Sequence, residues 1–240
     1  MSLPHFFLRE QVLAFESAPV FALHLDADDT KHAKVLRLAV GEHIAVVDAV
    51  SDYFECEIVS FEGDELSVSI AQKLSSYARP EVVLVQGLAK GEKMDTIVRH
   101  ATEVGIAEFV PMTTSRSVVK LDAKKSKARF ERWASIAKSA AMQSGRSSKP
   151  VVHAPCSVAG AVDIAKDCDA VLICWEEAEL SSTLAEAVSC CIAATGKDPR
   201  SLRIALVVGP EGGLTAQEVD LFLALPYAYS ISLGPSILRT

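Results

Sequence analysis

The spacing of apolar and polar residues divides the chain into two parts of different character. Residues 1–72 contain short runs rich in Val, Ile and Phe, separated by turn signals such as "AVG" and "EGDE". This pattern predicts several antiparallel strands that form a small barrel or curled sheet. The stretch "DDTKHAKVLRL" predicts a short helix before them, capped by an Asp or a Thr. The polar stretch 73–80, which ends in a proline, is predicted to be a linker.

Strands and helices alternate from residue 81 onwards. The segments "EVVLVQGL", "IAEFVPMTT", "DAVLICWEE" and "RIALVVGPEGG" have the pattern of buried strands, and "AYSISLGPSIL" that of a last strand and loop. The segment "KMDTIVRHATEVG" has helical spacing, and Gly105 is placed to end that helix. A long amphipathic helix is predicted at "KSKARFERWASIAKSAAMQSG", and Thr215 with Glu218 forms a capping box for "TAQEVDLFLAL". This alternation predicts an α/β domain with a parallel sheet over 81–240.

Charge is distributed unevenly along the 240 residues. The whole chain has a net charge of −7, but residues 116–149 hold ten Lys and Arg against two acidic residues. That segment is therefore +8 and the remainder is −15. A basic segment in an acidic chain is typical of a phosphate-binding footprint. A solvated helix face is the alternative interpretation.

Other features bear on location and on metal binding. Six cysteines without a Cys-x-x-Cys pair, and a start without a basic and apolar signal, favour reduced thiols in a cytoplasmic protein. Residues 221–238 carry no charge, but Pro226, Gly234 and Pro235 fit two short buried segments better than a membrane helix. The scattered histidines form no known metal motif, so we expect no metal site.

Two glycine-containing bends, "VVGPEGGL" and "SLGPSIL", each follow a predicted strand. Ligands of open α/β sheets bind outside the carboxyl ends of the strands, so the two bends are predicted to wall one pocket. Glycine there lets a ligand approach the main chain. The common phosphate-binding and dinucleotide-binding glycine motifs are absent. For "GPEGG" taken by itself, a tight turn before a helix is the alternative.

Four longer segments occur together in the order and spacing of one family: "GEKMDTIVRHATEVGI", "AMQSGR", "LVVGPEGGLTAQEV" and "SLGPSILRT". With "HFF" and "HAKVLRL" near the start, nearly the whole chain resembles the ribosomal small-subunit methyltransferase E family, knotted enzymes of the SPOUT class. The resemblance implies a PUA-like RNA-binding β-barrel over 1–72 and a SPOUT methyltransferase domain with a C-terminal trefoil knot over 81–240. It further implies S-adenosylmethionine as cofactor and transfer of its methyl group to N3 of one uridine in 16S rRNA of the small ribosomal subunit. Members of the family are homodimers, and no membrane partner is implied.

The resemblance also assigns roles to individual residues. Arg239 would stabilise the uracil anion or grip a phosphate, and Glu211 would orient the cofactor or the base, with a structural cap as its alternative. RNA contacts are expected along the basic segment and at Arg37, Lys90, Arg116 and Arg146, which lie within the family-like stretches; an ordinary surface charge is the alternative for each. The residues expected at the cofactor are Gly209, Pro210, Glu211, Gly212, Leu233, Gly234, Ser236, Ile237 and Leu238.

Some positions depart from the family pattern. His5 and His100 stand where an arginine and a lysine are usual, and Ser236 replaces a larger polar residue. Relatives continue past Thr240 with Glu-Thr-Ala and a helix that threads the knot, so we expect this sequence to lack that helix. Two other functions stay open: a SPOUT methyltransferase for another RNA, such as tRNA ribose, and a non-catalytic RNA-binding relative. Binding of S-adenosylmethionine would argue against the second.

Overall fold

The computed structural model describes residues 3–75, 78–179 and 183–234, which fall into two compact units. The first unit comprises Met1–Tyr77 and Ser139–Lys149, and the second comprises Ala78–Lys138 and Pro150–Thr240. The predicted division differs from this in two respects. The strand Glu65–Leu74 runs two residues into the predicted linker, and Ser139–Lys149 is grouped with the first unit instead of the second.

The first unit is built on a five-stranded sheet with the order β1-β3-β4-β5-β2. Its neighbouring strands are antiparallel, as predicted, except that β1 lies parallel to β3. The helix α1 begins after Asp26, whose side chain accepts a hydrogen bond from the amide of Asp29. The elements are β1 (His5–Phe7), β2 (Phe21–Ala22), α1 (Ala27–Val35), β3 (His43–Val47), β4 (Tyr53–Glu62) and β5 (Glu65–Leu74).

The segment Ser139–Lys149 belongs to the first unit because its small apolar residues pack on that sheet. Ala141 is fully buried against Phe7 and Val47. Gly145 approaches the ring of His5, so that a Cβ there would lie 3.5 Å from its Cε1 atom. Alanine and glycine carry no long side chains, which is why this close approach is possible.

His5 is a buried structural residue of this unit. The carbonyl of Leu3 is only an acceptor, so Nδ1 carries the proton and donates to it over 2.8 Å. Nε2 then accepts from the Tyr53 hydroxyl, which is 2.7 Å away. With 4% of its surface exposed, His5 is not placed to take over the RNA contact of the arginine that is usual there.

The stability of the first unit is expected to depend on the protonation of His5. Burial lowers the pKa of His5 below its ordinary value, and the hydrogen bond to Leu3 opposes this only in part. The unfolded chain therefore takes up the proton first, and the free energy of unfolding should fall as the pH drops through about 6.5. Urea unfolding at pH 8, 7, 6 and 5 measures it. The His5→Gln variant should lose this part of the pH dependence, whereas replacing the exposed His24 by Gln should retain it.

The second unit contains a parallel sheet with the strand order β12-β10-β11-β6-β7-β8. The short strand β9 also pairs with β7, nearer to the carboxyl end of β7 than β8 does. Every pair described in this sheet is parallel, as predicted from the alternation of strands and helices. The strands are β6 (Glu81–Gly87), β7 (Glu108–Thr113), β8 (Val151–Val152), β9 (Cys156–Ser157), β10 (Ala170–Cys174), β11 (Arg203–Val208) and β12 (Ala228–Ile231).

Helices cover both faces of this sheet. Clusters that include Trp133 and Cys191 lie under α2, α3 and α5 on one face, and a cluster that includes Ala161 and Phe222 lies under α4 and α6 on the other. Gly105 ends α2 in the left-handed region with φ +114°, as predicted, and the Thr215–Glu218 capping box opens α6. Two helices, α4 and α5, were not predicted. The helices are α2 (Lys93–Val104), α3 (Ala123–Gln143), α4 (Val158–Ala165), α5 (Leu184–Thr195) and α6 (Ala216–Leu223).

Two expectations about membranes and thiols can be compared with the described residues. Among them, no helix combines the length and the apolar character that crossing a membrane requires. All six cysteines are free thiols; Cys56 and Cys191 are buried, whereas Cys190 is exposed. Burial raises the pKa of the Cys56 thiol to about 12, so it is protonated at neutral pH.

Candidate active site at the carboxyl edge of the parallel sheet

Both glycine-containing segments leave the sheet at the same edge. Cys174, the last residue of β10, is in register with Val208 at the end of β11 and with Ile231 at the end of β12. The segments 209–214 and 232–234 therefore start at the same level, with only β10 between them. Two strand spacings separate them by about 10 Å. This is the arrangement that the sequence predicted for a shared pocket.

The bend at 209–214 is a tight turn in which the glycines serve the packing of the protein itself. The amide of Gly213 donates to the carbonyl of Pro210 over 2.8 Å, and Gly213 has φ +70°. A Cβ on Gly209 would lie 3.0 Å from the backbone of Gly213, and one on Gly212 would lie 3.1 Å from the Cβ of Arg116. Close approach by neighbouring protein atoms accounts for these glycines, in line with the tight turn that was the alternative; close approach by a ligand stays a prediction.

Glu211 ties the bend to the loop that follows β6. Its Oε1 atom lies 2.9 Å from Nζ of Lys93 and accepts a hydrogen bond from the amide of Lys90 over 3.1 Å. Burial would raise the pKa of Glu211, but these hydrogen bonds outweigh it and lower the pKa to about 2. A carboxylate with so low a pKa is a weak proton acceptor, so Glu211 is suited to holding the loop rather than to acting as a general base.

Arg116 and Glu176 hold the other side of the bend. Nη1 of Arg116 donates to the carbonyls of Gly212 and Leu214, over 3.0 and 3.2 Å. It also lies 3.9 Å from a carboxylate oxygen of Glu176, in the loop after β10. That carboxylate occupies the space beside Gly213, where a Cβ would lie 2.8 Å from both of its oxygens. Three loops thus meet around the bend.

Three residues of this region were missed by the sequence analysis: Gln86, Lys93 and Glu176. The amide of Gln86 is buried at the end of β6 and donates to the carbonyl of Gly209 over 3.3 Å. A polar glutamine directly after four apolar residues of a buried strand was a usable signal. In the sequence, Lys93 and Glu176 look like ordinary surface charges. Their neighbours at the bend, Glu211 and Gly213, are about 118 and 37 positions away, so no local pattern connects them.

The second candidate segment is described only as far as Gly234. Leu233 is 55% exposed, and Gly234 has φ +107° with no atom of the described residues within 4 Å of the place of a Cβ, its chain neighbours aside. Leu233 and Gly234 are therefore both exposed at this edge. The remaining residues predicted there, Ser236, Ile237, Leu238 and Arg239, lie outside the described residues.

The four predicted RNA-binding arginines and lysines occupy different environments. Lys90 is exposed beside the bend, and Nη1 of Arg116 donates a hydrogen bond to a carbonyl of the bend. Arg37 is exposed in the first unit, after α1, with φ +55°. Arg146 is only 6% exposed, and its Nη2 atom donates to Oγ of Ser148 over 3.5 Å; its predicted contact to RNA stays a prediction.

The basic segment 116–149 is only in part a free surface. Arg132 donates from Nε and Nη2 to one oxygen of Asp95, over 2.8 and 2.6 Å, and Trp133 donates to the other oxygen over 3.1 Å. This group joins α3 to α2. Lys120 and Lys124, in contrast, are exposed, and their side-chain ammonium groups have no hydrogen-bond or ion-pair partner among the described residues.

Sequence comparisons identify relatives along nearly the whole chain. A family model described as an RNA methyltransferase domain matches residues 77–240. The ribosomal RNA small subunit methyltransferase E of Bacillus subtilis is 34% identical over 228 residues, which cover 94% of this chain and 86% of the relative. The chain belongs to the ribosomal RNA small subunit methyltransferase E family. Another member, from Mycobacterium bovis, is 30% identical over 90% of this chain and 80% of its own length.

Solved structures agree with the membership of this family. A crystal structure of a hypothetical protein has a TM-score of 0.82 at 31% identity and covers 98% of this chain and 91% of its own. The family enzyme of Neisseria gonorrhoeae, crystallised with S-adenosyl methionine, has a TM-score of 0.78 at 24% identity, with coverages of 99% and 92%. The second comparison establishes the shared fold. Among the described residues no group of three or more His, Cys, Asp or Glu is arranged to hold a metal ion.

Proposed function

We propose that this chain transfers the methyl group of S-adenosylmethionine to N3 of one uridine in 16S rRNA of the small ribosomal subunit. The observation that carries the proposal is the shared edge of the sheet. The bend after β11 and the segment after β12 start side by side there, in a chain of an rRNA methyltransferase family. Ligands of open parallel sheets bind at this kind of edge.

The described residues are compatible with a nucleoside-like cofactor. Glu211 and Gly212 are exposed at the bend, and Leu233 and Gly234 are exposed two strands away. Leu233 offers an apolar surface for a flat ring, and Gly234 is exposed and has no side chain, which lets a ligand come close to the main chain. Gly209, Pro210, Ser236, Ile237 and Leu238 complete the proposed cofactor site. When bound, the cofactor supplies an electrophilic methyl group.

The proton on N3 of the uridine is the chemical obstacle to methyl transfer. At neutral pH this proton makes N3 a poor nucleophile, so transfer requires its loss or the stabilisation of the uracil anion. Arg239 is proposed to stabilise that anion. Glu211 is proposed to orient the bend, because its low pKa does not suit proton abstraction. Alignment of N3 with the methyl group within about 3 to 3.5 Å completes the requirement.

RNA is proposed to follow residues 116–138, the part of the basic segment that belongs to the second unit. Residues 1–72 contain 4 basic and 13 acidic residues, a net charge of −9, which opposes the close approach of many phosphates. Arg116 contacts the bend directly, and the exposed Lys120 and Lys124 follow it in the chain. Phosphates beside the target uridine are therefore expected along this stretch. Lys90, and Arg37 in the first unit, are proposed as further contacts.

Replacing Lys120 and Lys124 together by Gln should weaken RNA binding and flatten its dependence on salt. Each phosphate contact to single-stranded RNA contributes about 0.7 to the slope of log K against log salt, so the slope should fall by about 1.4. Filter binding of a 16S rRNA fragment between 50 and 300 mM KCl measures it. Replacing Lys166 and Arg200 by Gln removes two exposed cations that pair with acidic neighbours and should leave the slope unchanged. An unaltered slope in the first variant would remove these lysines from the RNA surface.

The proposed enzyme is a cytoplasmic homodimer with a trefoil knot near its C-terminus, and its first unit is a PUA-like barrel that assists RNA binding. Membership of the family supports these assignments. Light scattering of the 240-residue chain tests the assembly state: a mass of twice 25.7 kDa is expected, and a monomer in the presence of S-adenosylmethionine would contradict it.

Transfer with labelled S-adenosylmethionine tests the proposed function. Small subunits from cells that lack the gene, and naked 16S rRNA, serve as acceptors, and the modified nucleoside is identified after complete digestion. One 3-methyluridine per subunit is expected. A 2′-O-methylated nucleoside would indicate a different reaction, transfer to tRNA alone a different substrate, and RNA binding without any transfer a non-catalytic relative.

A further inference from the structure

Residues of the segment from Gln86 to Lys93 contact the first three residues of the bend, in the same order along the chain. The amide of Gln86 donates to the carbonyl of Gly209. Gly87 approaches Pro210 so closely that a Cβ would lie 2.5 Å from its nitrogen. At the third position, the carboxylate of Glu211 forms an ion pair with Lys93 and accepts a hydrogen bond from the backbone amide of Lys90. Gln86 and Gly87 fix the start of the turn, and Lys93 fixes the side chain at its tip.

We propose that Lys93 is a positioning residue for methyl transfer, which acts through Glu211 on the bend. The inference rests on the proposed function, because the bend matters only if it binds the methyl donor. Lys93 itself is not expected to touch either substrate.

The position of Lys93 at the start of α2 supports this role. A cation in the first turn of a helix is unfavourable, because the helix dipole places partial positive charge there. Lys93 is the first residue of α2, and the nearby carboxylate of Glu211, 2.9 Å from its Nζ, offsets that cost. Oε1 of Glu211 also accepts a hydrogen bond from the backbone amide of Lys90, so the ion pair and this hydrogen bond share one oxygen atom.

Loss of the Lys93 ammonium should loosen the turn between Pro210 and Gly213 without unfolding the protein. The side chain of Lys93 is 43% exposed, so its removal leaves no cavity in the core. An exposed ion pair of this kind corresponds to about a threefold to fivefold change in an equilibrium constant. The Kd of S-adenosylmethionine should rise by that factor, while RNA binding in the absence of the methyl donor should not change.

Calorimetric titration of S-adenosylmethionine into the full chain tests the inference with a double-mutant cycle. Lys93→Met is expected to weaken binding about threefold to fivefold, and Lys93→Arg should restore it to within about twofold. Because the two residues act as a unit, Lys93→Met combined with Glu211→Gln should bind no more weakly than Glu211→Gln by itself. Arg99→Met removes an exposed cation from the same helix and is the matched control, with unchanged affinity.

Unchanged affinity in Lys93→Met, or fully additive effects in the double variant, would overturn the positioning role. A drop in RNA binding by Lys93→Met with normal S-adenosylmethionine affinity would also overturn it, since Lys93 would then be an RNA contact. If the unaltered chain fails to bind S-adenosylmethionine, the proposed function fails and the inference fails with it. The two failures can be distinguished, because failure of the proposed function is already seen in the unaltered chain.

Discussion

Substituting Gly87 by Ala should strongly weaken the binding of S-adenosylmethionine. The added Cβ would lie 2.5 Å from both the nitrogen and Cδ of Pro210, and 2.8 Å from the carbonyl carbon of Gly209. Two of these atoms belong to the backbone, so either β6 or the bend has to move. Overpacking of this kind costs about 1 to 3 kcal/mol, and because the strain acts on the bend, we expect binding to weaken by about fivefold to a hundredfold.

Titration calorimetry and thermal unfolding of the Gly87→Ala protein measure the two effects. Gly160→Ala is the matched control: it adds the same methyl group in α4, where the nearest atom is a side-chain Cβ at 3.1 Å. Its affinity for the methyl donor should stay unchanged. If Gly87→Ala binds as tightly as the unaltered chain, the bend does not determine the cofactor site.

Replacing Arg239 by Ala should lower kcat about a hundredfold to a thousandfold while the protein still folds. The expected reason is the loss of the group that stabilises the uracil anion as the N3 proton leaves, and losses of single stabilising donors at other active sites have this size. Single-turnover transfer to small subunits at saturating S-adenosylmethionine gives the rate. Arg239→Lys keeps the charge and should retain part of the activity.

A change in the KM for RNA with kcat unaltered would contradict the role of Arg239 at the reacting base. It would instead indicate that Arg239 grips a phosphate, which the sequence left as the alternative. The Lys120 and Lys124 double variant provides the comparison, because loss of a phosphate contact should raise the KM for RNA and flatten its salt dependence without a change in kcat.

Regular periodicity made most of the second unit predictable. The apolar strands β6, β7, β10 and β11, the helical spacing before Gly105 and the Thr215–Glu218 capping box all follow from short-range patterns. The helices α4 and α5 were missed because their sequences, "VAGAVDIA" and "LAEAVSCCIAAT", are dominated by small or apolar residues and offer little contrast between faces. The parallel pairing of β1 with β3 was missed because a three-residue strand contains no information about its partner.

The candidate site was predictable in place but only partly in detail. Glycine and proline after β11 indicated a bend, and parallel strands bring their carboxyl ends to one edge. The residues that hold the bend come from distant parts of the chain, such as Lys93 and Arg116, and no local pattern connects them with it. Burial of Arg146 likewise depends on packing, so its sequence neighbours did not distinguish it from a surface arginine.

The modified nucleosides of 16S rRNA test the central claim most directly. The rRNA is taken from cells with the gene, without it, and without it but supplied with the unaltered chain or the Arg239→Ala variant, and is then digested and mapped by mass spectrometry. The account predicts that one 3-methyluridine disappears with the gene and returns with the unaltered chain only. An unchanged set of methylated uridines in cells without the gene would contradict it.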